Sequence, residues 1–288
     1  MADTKIQWSE VVWNPATGCD RISPGCDHCY ALTMAKRLKA MGQPKYQTDG
    51  DPRTSGPGFG VAMHEDALDL PWRWRKPRMV FVNSMSDLGH ARIPREFQAR
   101  VWATMNGASK HTYQVLSKRP ERLRRFLEAC AQWDGYITHN GAPAVACGGN
   151  GIIVGVPERW PLPNVWVGTS IESDDYTRRA DELRATPAAV RFLSLEPLLG
   201  PLPSLDLTGI DWVIIGGESG GGARPMDVGW VLDLMAQCRE AGAAVFIKQA
   251  GSVLGRAWGA GSHGEDWDFW PTYLRIREFP QAREAIPA

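Results

Sequence analysis

The sequence predicts an α/β fold, specifically a β/α barrel of the TIM type that is either complete or partial. Short, fully apolar segments such as residues 79–82 and 212–215 alternate with amphipathic segments of helical spacing. The apolar segments lack the alternation of a half-exposed strand, which is typical of parallel strands buried on both faces. Each of them also ends in polar residues, and β/α barrels place their sites at these strand ends. A doubly wound open sheet is the second choice.

The predicted elements follow one another in a regular order. An extended entry segment and a second apolar run join six regular strands, so that up to eight strands are counted. The predicted strands are residues 5–13, 59–64, 79–82, 112–116, 165–168, 190–193, 212–215 and 244–247. The predicted helices cover about residues 27–41, 94–105, 121–130, 174–185 and 228–241. Asp174 and Asp175 open their helix with the negative charge that the helix dipole favours.

We expect one β/α barrel domain over residues 1–251, with an insertion at about residues 131–163 that is rich in Gly and Pro. Residues 252–288 are predicted to be a C-terminal extension that packs on the barrel. The 288 residues are 43% hydrophobic, which suffices for a sizeable core.

Charge and hydropathy exclude several function classes. Lys and Arg together number 32, as do Asp and Glu, so a basic field over the whole surface is excluded. Any contact with nucleic acid must therefore use local patches. No apolar run approaches the ~20 residues of a membrane span, and the first residues lack the apolar core of a signal peptide. We expect a cytoplasmic protein without membrane contact. The local basic clusters are Arg73, Arg75, Lys76 and Arg78, and Lys118, Arg119, Arg122, Arg124 and Arg125.

The chain is organised around the cysteine loop, which we define as residues 14–30. It contains three of the six cysteines, Cys19, Cys26 and Cys29, with the spacing C-x6-C-x2-C. Proline and glycine keep the first part of this segment from forming a helix or a strand. The loop is therefore predicted to wrap around a ligand and to present three sulfurs to it.

Four interpretations of these three cysteines are open. A 4Fe–4S cluster held by three cysteines leaves one iron open to another ligand. A structural zinc site needs four ligands, and His28 is awkward as the fourth because it adjoins Cys29. A disulfide would leave one cysteine over and is disfavoured in a cytosolic protein. A chance cluster of buried thiols is the fourth interpretation.

The Cys-x2-Cys-Tyr motif after an upstream cysteine resembles the radical S-adenosylmethionine (SAM) enzymes. In these enzymes three cysteines follow the first barrel strand and SAM binds the fourth iron. Their usual spacing is C-x3-C-x2-C, so this loop has three additional residues before Cys26. The segment from Trp13 to Ala31 is more closely similar to a phage-associated three-cysteine-motif family of undefined function. Other segments that resemble this family are residues 81–88, 116–120, 195–198 and 216–220.

The resemblance to the phage-associated family covers about residues 6–251, and the resemblance to the radical SAM enzymes implies an enzyme. Cys19, Cys26 and Cys29 would hold a 4Fe–4S cluster, and SAM bound to it would yield a 5′-deoxyadenosyl radical that abstracts hydrogen from a substrate. The implied partners are an electron donor, a nucleic-acid or nucleotide substrate, and a protein encoded by a phage or a neighbouring gene. The alternative is a zinc-stapled, non-enzymatic protein that binds nucleic acid or a phage component. A metal-assisted hydrolase is a third hypothesis.

The polar residues at the strand ends supply the remaining candidates. Glu196, Glu218 and Lys248 are predicted to be catalytic, since a carboxylate directly after an apolar strand is costly unless it is paired or used. The predicted cofactor-binding residues are Asn83, Ser84, Ser86, Asp87, Ser117, Lys118, Thr169, Ser170 and Gly217. Gly217 would let the backbone approach a ligand closely. Capping of a following helix, or pairing with a nearby lysine, is the alternative role for such Ser and Glu residues.

Overall fold

A computed structural model describes residues 4, 6–131, 137–139, 142–144 and 160–281. The predicted insertion lies largely outside these residues, as does the end of the predicted C-terminal extension. The chain divides into two compact units. The first comprises Met1–Arg21, Ala31–Val167 and Ala185–Ala189, and the second comprises Ile22–Tyr30, Gly168–Arg184 and Val190–Ala288.

The strands in chain order are β1 Val11–Trp13, β2 Ala16–Thr17, β3 Ala62–Met63, β4 Met79–Val82, β5 Thr112–Ser117, β6 Ile137–His139, β7 Ala142–Ala144, β8 Val165–Ser170, β9 Val190–Leu195, β10 Trp212–Gly216 and β11 Ala244–Gln249. The helices are α1 Tyr30–Ala40, α2 Leu70–Arg73, α3 Arg95–Gly107, α4 Pro120–Ala131, α5 Arg178–Arg184, α6 Val228–Ala241 and α7 Gly251–Trp258.

Parallel pairing dominates the strands of both units. In the first unit β4 lies between β1 and β5, with Val80 opposite Val11 and Met79 opposite Thr112. In the second unit β10 lies between β9 and β11, with Trp212 opposite Phe192 and Ala244. Strand β8 begins in the first unit and ends in the second, and the strand order is β1-β4-β5-β8-β9-β10-β11. The prediction of an α/β fold with buried parallel strands is therefore confirmed.

A complete eight-stranded barrel is not what the structure shows. Among the described residues the sheet has seven strands, and β1 and β11 stand at the two ends of its order. The predicted strand at residues 59–64 is reduced to β3, which pairs antiparallel with β2 outside this sheet. A Cβ atom at Gly60 would lie 2.5 Å from the carbonyl oxygen of Asp49, so this segment packs closely against another loop instead of extending.

Large aromatic side chains fill the interior of each unit. In the first, Trp13 contacts Tyr113 with 5.9 Å between ring centroids. In the second, Trp212 lies 5.7 Å from Phe192 and 5.8 Å from Phe246 by the same measure. All residues of β8 and β10 are buried, as the continuous apolar runs predicted. Burial of these side chains, at roughly 25 cal/mol per Å² of apolar area, is the main stabilising contribution to each unit.

Two helices begin later than their patterns predicted. The helix expected from about Asp27 begins at Tyr30, because a 3₁₀ turn at Pro24–Cys26 comes first. The helix expected from Asp174 begins with a 3₁₀ turn and becomes α-helical at Arg178.

After α7 the chain returns to the edge of β11. The amide of Ile247 donates to the carbonyl of Ile276 at 2.9 Å, and the amide of Glu278 donates to the carbonyl of Val245 at 2.8 Å. Within the described part of the chain, no helix combines the length and apolar composition that a membrane span requires.

Candidate functional site

Gly18 fixes the position of the first loop cysteine, Cys19, in the first unit. The Gly18 amide donates to the carbonyl of Met85 at 2.9 Å, and Gly18 forms a parallel bridge with Ser86. Its φ of +87° is a conformation that glycine adopts readily. A Cβ atom at this position would lie 2.1 Å from the carbonyl oxygen of Gly60. The chain therefore passes the carboxyl end of β4 in one tightly defined path and presents Cys19 directly afterwards.

Arg119 contacts the sulfur of Cys19. Its Nη1 atom lies 3.3 Å from Cys19 Sγ and 2.9 Å from Asp87 Oδ2, and its Nη2 atom donates to the carbonyl of Asp20 at 2.9 Å. The side chain of Arg119 is 12% exposed. Burial lowers the pKa of Arg119, but the negative charges of Asp87 and Cys19 raise it overall. The guanidinium thus places a permanent positive charge beside this thiol.

Asp87 holds this arginine in place. Its Oδ1 atom accepts from the Ser117 hydroxyl at 2.6 Å and from the amide of Gly89 at 2.9 Å. Its Oδ2 atom accepts from the amide of Lys118 at 3.1 Å as well as from Arg119. Four donors therefore surround this buried carboxylate, which joins the end of β4 to the end of β5. Three predicted cofactor-binding residues, Asp87, Ser117 and Lys118, meet here.

Asp20 forms a second charged cluster next to Cys19, and sequence analysis did not single it out. Its Oδ2 atom lies 3.0 Å from His90 Nε2 and 2.7 Å from Arg92 Nη2, and its Oδ1 atom accepts from Thr54 at 2.7 Å. Burial raises the pKa of Asp20, but hydrogen bonds from Thr54, Arg92 and His90 bring it well below the usual range. An acidic residue adjacent to a candidate ligand was the signal available in the sequence.

Asn83 directly follows β4 and has an unusual backbone conformation. Its φ is +61°, in the left-handed region that few residues other than glycine adopt. The residue is 3% exposed, and among the described residues neither its amide oxygen nor its amide nitrogen has a hydrogen-bond partner. An unsatisfied buried polar group costs about 1–3 kcal/mol. The amide of this predicted cofactor-binding residue therefore keeps its hydrogen-bonding capacity for a ligand or water.

Ser84 and Ser86, which follow Asn83, form hydrogen bonds with the segment that follows β1. The Ser84 hydroxyl accepts from Asn14 Nδ2 at 3.1 Å, and the Ser86 hydroxyl donates to the carbonyl of Ala16 at 3.0 Å. Both predicted cofactor-binding residues therefore help to hold the start of the cysteine loop to the end of β4.

The second unit contains residues 22–30, the part of the cysteine loop that carries Cys26 and Cys29. Ser23 Oγ donates to Glu172 Oε1 at 2.8 Å and lies 3.7 Å from Cys26 Sγ. A Cβ atom at Gly25 would lie 2.4 Å from Cγ of Glu172, so only glycine permits this contact. Residues 22–30 are thus attached to the carboxyl end of β8.

Glu172 itself is fully buried and paired. Its Oε2 atom accepts from Arg179 Nη1 at 3.0 Å, and the same nitrogen donates to the carbonyl of Ser170 at 2.8 Å. Thr169 and Ser170, both predicted to bind the cofactor, are buried at the end of β8. Arg179 was not predicted from the sequence, because its contact with Glu172 depends on how the segment between β8 and α5 folds back.

Glu218 follows β10 and binds the same part of the loop. Its carboxylate accepts from Arg224 Nη2 at 2.5 Å and lies 3.0 Å from His28 Nδ1. Arg224 also donates to the carbonyl of Pro24 at 2.9 Å. Burial raises the pKa of Glu218, but the hydrogen bonds from Arg224 and His28 lower it to about 2. Glu218 is therefore an anion at neutral pH, and sequence analysis had not identified its partner Arg224.

Glu196 and Lys248 form a pair that reaches across β10. Lys248 Nζ lies 2.5 Å from Glu196 Oε1, and both side chains are less than one-fifth exposed, at 17% and 18%. Between them lies Gly216, where a Cβ atom would come within 3.2 Å of Glu196 Cγ. At Gly217 a Cβ atom would lie 2.4 Å from the carbonyl of Ala250, so the glycine there serves close packing of the chain.

Three neighbouring strands of the second unit thus each end in a carboxylate paired with one cation. The pairs are Glu172 with Arg179, Glu196 with Lys248, and Glu218 with Arg224. All three predicted catalytic residues belong to this row. Removing one partner of a buried pair costs about 3–5 kcal/mol, because the other charge is then left buried without compensation.

Among the described residues, the three loop cysteines form no disulfide. Cys19 belongs to the first unit, and Cys26 and Cys29 belong to the second. Across the described ranges, no set of three or more His, Cys, Asp or Glu side chains is arranged to hold a metal ion. The chemistry of the donors nevertheless fits a soft metal or an iron–sulfur cluster, because thiolates are the ligands that both prefer.

Fold and site together define an α/β protein whose charged side chains gather, in each unit, at the carboxyl ends of parallel strands. The chain belongs to the family described as "Protein of unknown function (DUF5131)", which it matches over residues 3–271. No curated protein matches the chain. The family description mentions neither phage nor SAM, so these parts of the resemblance remain predictions.

Proposed function

We propose that this protein is an iron–sulfur enzyme of the radical SAM type that acts on a nucleic-acid or nucleotide substrate. The observation that carries the proposal is the attachment of the cysteine loop, since buried charged networks hold both of its parts at the ends of parallel strands. Arg119 and Asp87 do so beside Cys19. Glu172 and Glu218 do so for residues 22–30. Such edges are where β/α folds bind ligands.

In this proposal Cys19, Cys26 and Cys29 hold a 4Fe–4S cluster, and SAM is the second cofactor. When bound, these cofactors supply one-electron reduction and a 5′-deoxyadenosyl radical for hydrogen abstraction. The protein contributes binding, orientation and exclusion of water. The electron comes from a separate donor protein, and a protein encoded by a phage or neighbouring gene is a further proposed partner.

Arg119 contributes to the proposed site through its contact with the Cys19 sulfur. Its N–H group donates to the Cys19 sulfur, and hydrogen bonds to sulfur are one means by which proteins adjust the reduction potential of a cluster. Its contact with Asp87 keeps the guanidinium in place because that carboxylate is itself held by Ser117 and by backbone amides. We therefore assign Arg119 as a positioning residue for Cys19.

The polar groups at the strand ends supply ligand contacts. The Asn83 amide has two donors and one acceptor without partners among the described residues, and these suit a heterocyclic base or a carboxylate. Glu196 and Lys248 offer an anion and a cation that can each bind a ligand if their pair opens. These assignments follow from the side-chain chemistry.

The experiment compares Cys26→Ser with wild type and with Cys130→Ser, which alters a buried cysteine of α4 outside the loop. After anaerobic reconstitution we expect about four iron ions per chain in wild type and in Cys130→Ser. Cys26→Ser should lose most of this iron, since serine oxygen is a poorer ligand for iron than thiolate. The melting temperature of metal-free Cys26→Ser should equal that of metal-free wild type.

Two results would contradict the proposal. Full retention of iron by Cys26→Ser would remove the three-cysteine cluster and with it the SAM assignment. Colourless wild-type protein with stoichiometric zinc, together with a lower melting temperature of Cys26→Ser as purified, would favour the zinc-stapled alternative, because structural zinc contributes folding energy directly.

A further inference from the structure

Four cations lie in one short segment before β4 in the first unit, and a fifth, Lys110, lies just before β5, which pairs with β4. This segment follows α2 and ends where β4 begins at Met79, whereas Cys19 lies near the carboxyl end of the same strand. We name these cations the basic surface: Arg73, Arg75, Lys76, Arg78 and Lys110. It is separate from the candidate site, and the proposed enzyme chemistry does not use it.

The basic surface is attached to the core by aromatic contacts. Trp74 is 8% exposed and meets His111 edge to face, with 5.4 Å between ring centroids. His111 Nε2 lies 3.0 Å from the carbonyl of Pro71, which fixes the start of the segment. Because Trp74 points inward, its neighbours Arg73 and Arg75 point outward and are exposed.

Three members of the basic surface have no anionic partner. Within the described residues, no ion pair or hydrogen bond involves the side chains of Arg73, Arg75 or Lys76. Some other surface arginines of this unit are paired, as Arg53 is with Asp51 and Arg92 with Asp20. Clustered cations repel one another, so this arrangement is stabilised when an anion binds.

Four of the five cations share one depression of the surface. Arg73, Arg75, Lys76 and Arg78 line one surface depression, and Lys110 lines a second one with Trp72. Burial lowers the pKa of His111, and the positive charges of Lys110 and Arg78 lower it further. Arg78 has a carboxylate nearby, since its Nη1 atom lies 3.6 Å from Glu10 Oε1.

We propose that the basic surface binds the phosphate backbone of a single-stranded nucleic acid, with the half-buried indole of Trp72 beside it as a stacking partner for one base. Arginine suits phosphate because its planar donors bind two oxygens at once. Aromatic side chains among cations are typical of single-strand binding. Sequence-specific reading of a double strand is disfavoured because α2 has only four residues, too few to read a major groove.

The experiment uses the full chain and a fluorescein-labelled 20-nucleotide oligothymidylate, with binding followed by fluorescence anisotropy at several salt concentrations. We expect wild type to bind with a micromolar dissociation constant, as sequence-independent contacts do. Arg73→Ala/Arg75→Ala/Lys76→Ala should bind at least tenfold more weakly. Its plot of log affinity against log salt should be less steep by about two, because three phosphate contacts are lost.

The matched control is Lys36→Ala/Arg37→Ala/Arg95→Ala. It removes the same number of exposed lysines and arginines from α1 and α3, and none of the three has an ion pair with a described residue. We expect the control to bind like wild type. Equal weakening of binding in both triple variants would overturn the proposal, because the attraction would then depend on the net charge of the protein and not on the basic surface.

A second variant tests the indole. Trp72→Ala should weaken binding about tenfold with an unchanged dependence on salt, because stacking involves no counterion release. Circular dichroism of this variant should match that of wild type, which checks that it is folded. Failure of wild-type protein to bind the oligonucleotide, or tighter binding to phosphatidylserine vesicles that the triple variant loses, would overturn the assignment to nucleic acid.

Iron-free protein and Cys26→Ser should bind the oligonucleotide as wild type does. Loss of binding in the triple variant with normal iron content supports the basic surface independently of the proposed enzyme. Conversely, wild-type protein that acquires no iron on anaerobic reconstitution but still binds the oligonucleotide through this surface would refute the enzyme proposal and leave this one intact.

Discussion

Asn83 combines a left-handed backbone with a buried amide that lacks a partner among the described residues. The two features can be separated by two substitutions, since Asn83→Ala and Asn83→Gly both remove the amide but only glycine accepts a φ of +61° freely. We expect Asn83→Gly to have a free energy of unfolding about 1 kcal/mol higher than Asn83→Ala. Urea denaturation followed by tryptophan fluorescence measures this difference. Equal stability of the two variants would show that the backbone is not left-handed here.

The protonation of Glu218 is expected to make the free energy of unfolding depend on pH in the acid range. Its folded-state pKa is lowered from 4.5 to about 2, so its contribution is complete above the unfolded-state value and is lost as the pH falls towards 2. Between pH 4.5 and pH 3 the free energy of unfolding should decrease by about 2 kcal/mol because of this group. In Glu218→Gln, which cannot titrate, the decrease over this interval should be smaller by about the same amount.

The control for this prediction is Glu121→Gln. Glu121 pairs with Arg125 on the surface of α4, and its side chain is 47% exposed. Exposed pairs contribute about 0–1 kcal/mol, so this substitution should leave the acid dependence nearly unchanged. An unaltered acid dependence in Glu218→Gln, measured by urea denaturation at each pH, would show that the Glu218–Arg224 pair is open in solution.

At the scale of elements, the path of the cysteine loop depends on close contact between backbones. Gly18 lacks room for a side chain because Gly60 of another loop lies against it. Gly42 has a similar positive φ of +71° but open space around it. Comparing alanine at these two sites separates the clash from the backbone strain that both share.

We expect Gly42→Ala to lower the free energy of unfolding by about 1 kcal/mol through strain alone. Gly18→Ala should lower it by at least about 2 kcal/mol more, since overpacking typically costs 1–3 kcal/mol. Chemical denaturation of both variants provides the measurement. A Gly18→Ala protein as stable as Gly42→Ala would mean that the loop of residues 58–60 moves away without cost.

At the scale of the whole molecule, balanced charge governs solubility. Lys and Arg equal Asp and Glu in number, so the formal net charge at pH 7 is zero. Proteins associate most readily where their net charge vanishes. The polyethylene glycol concentration that precipitates the protein should therefore be lowest near pH 7 and higher at pH 5 and pH 9. A minimum displaced by more than about one pH unit would indicate strongly shifted or bound charges.

Several strands could be predicted with nearly correct bounds. The predicted segments at residues 79–82, 212–215 and 244–247 correspond to Met79–Val82, Trp212–Gly216 and Ala244–Gln249. These runs are local signals, because an uninterrupted apolar stretch between turn residues leaves little choice but a buried strand. The apolar run at residues 59–64 gave a wrong prediction, because its one glycine, Gly60, packs closely against Asp49 of another loop.

The partners of the charged side chains could not be predicted in this way. Ser23 and Glu172 are 149 residues apart, and Arg119 and Cys19 are 100 residues apart. No periodicity or spacing in a single sequence connects such distant residues. Arg119 was therefore predicted only as a member of a basic cluster, and Arg179 and Arg224 were not predicted at all as partners of the strand-end carboxylates.

The sequence by itself determined the α/β class, the buried parallel strands and the position of the cysteine loop, because each depends on residues close together in the chain. Only the tertiary structure decided that seven strands rather than eight join the sheet, and which cation neutralises each buried carboxylate. The physical reason is that a charge at a strand end must be paired once it is buried. The identity of its partner depends on chain segments that meet only when the sheet forms.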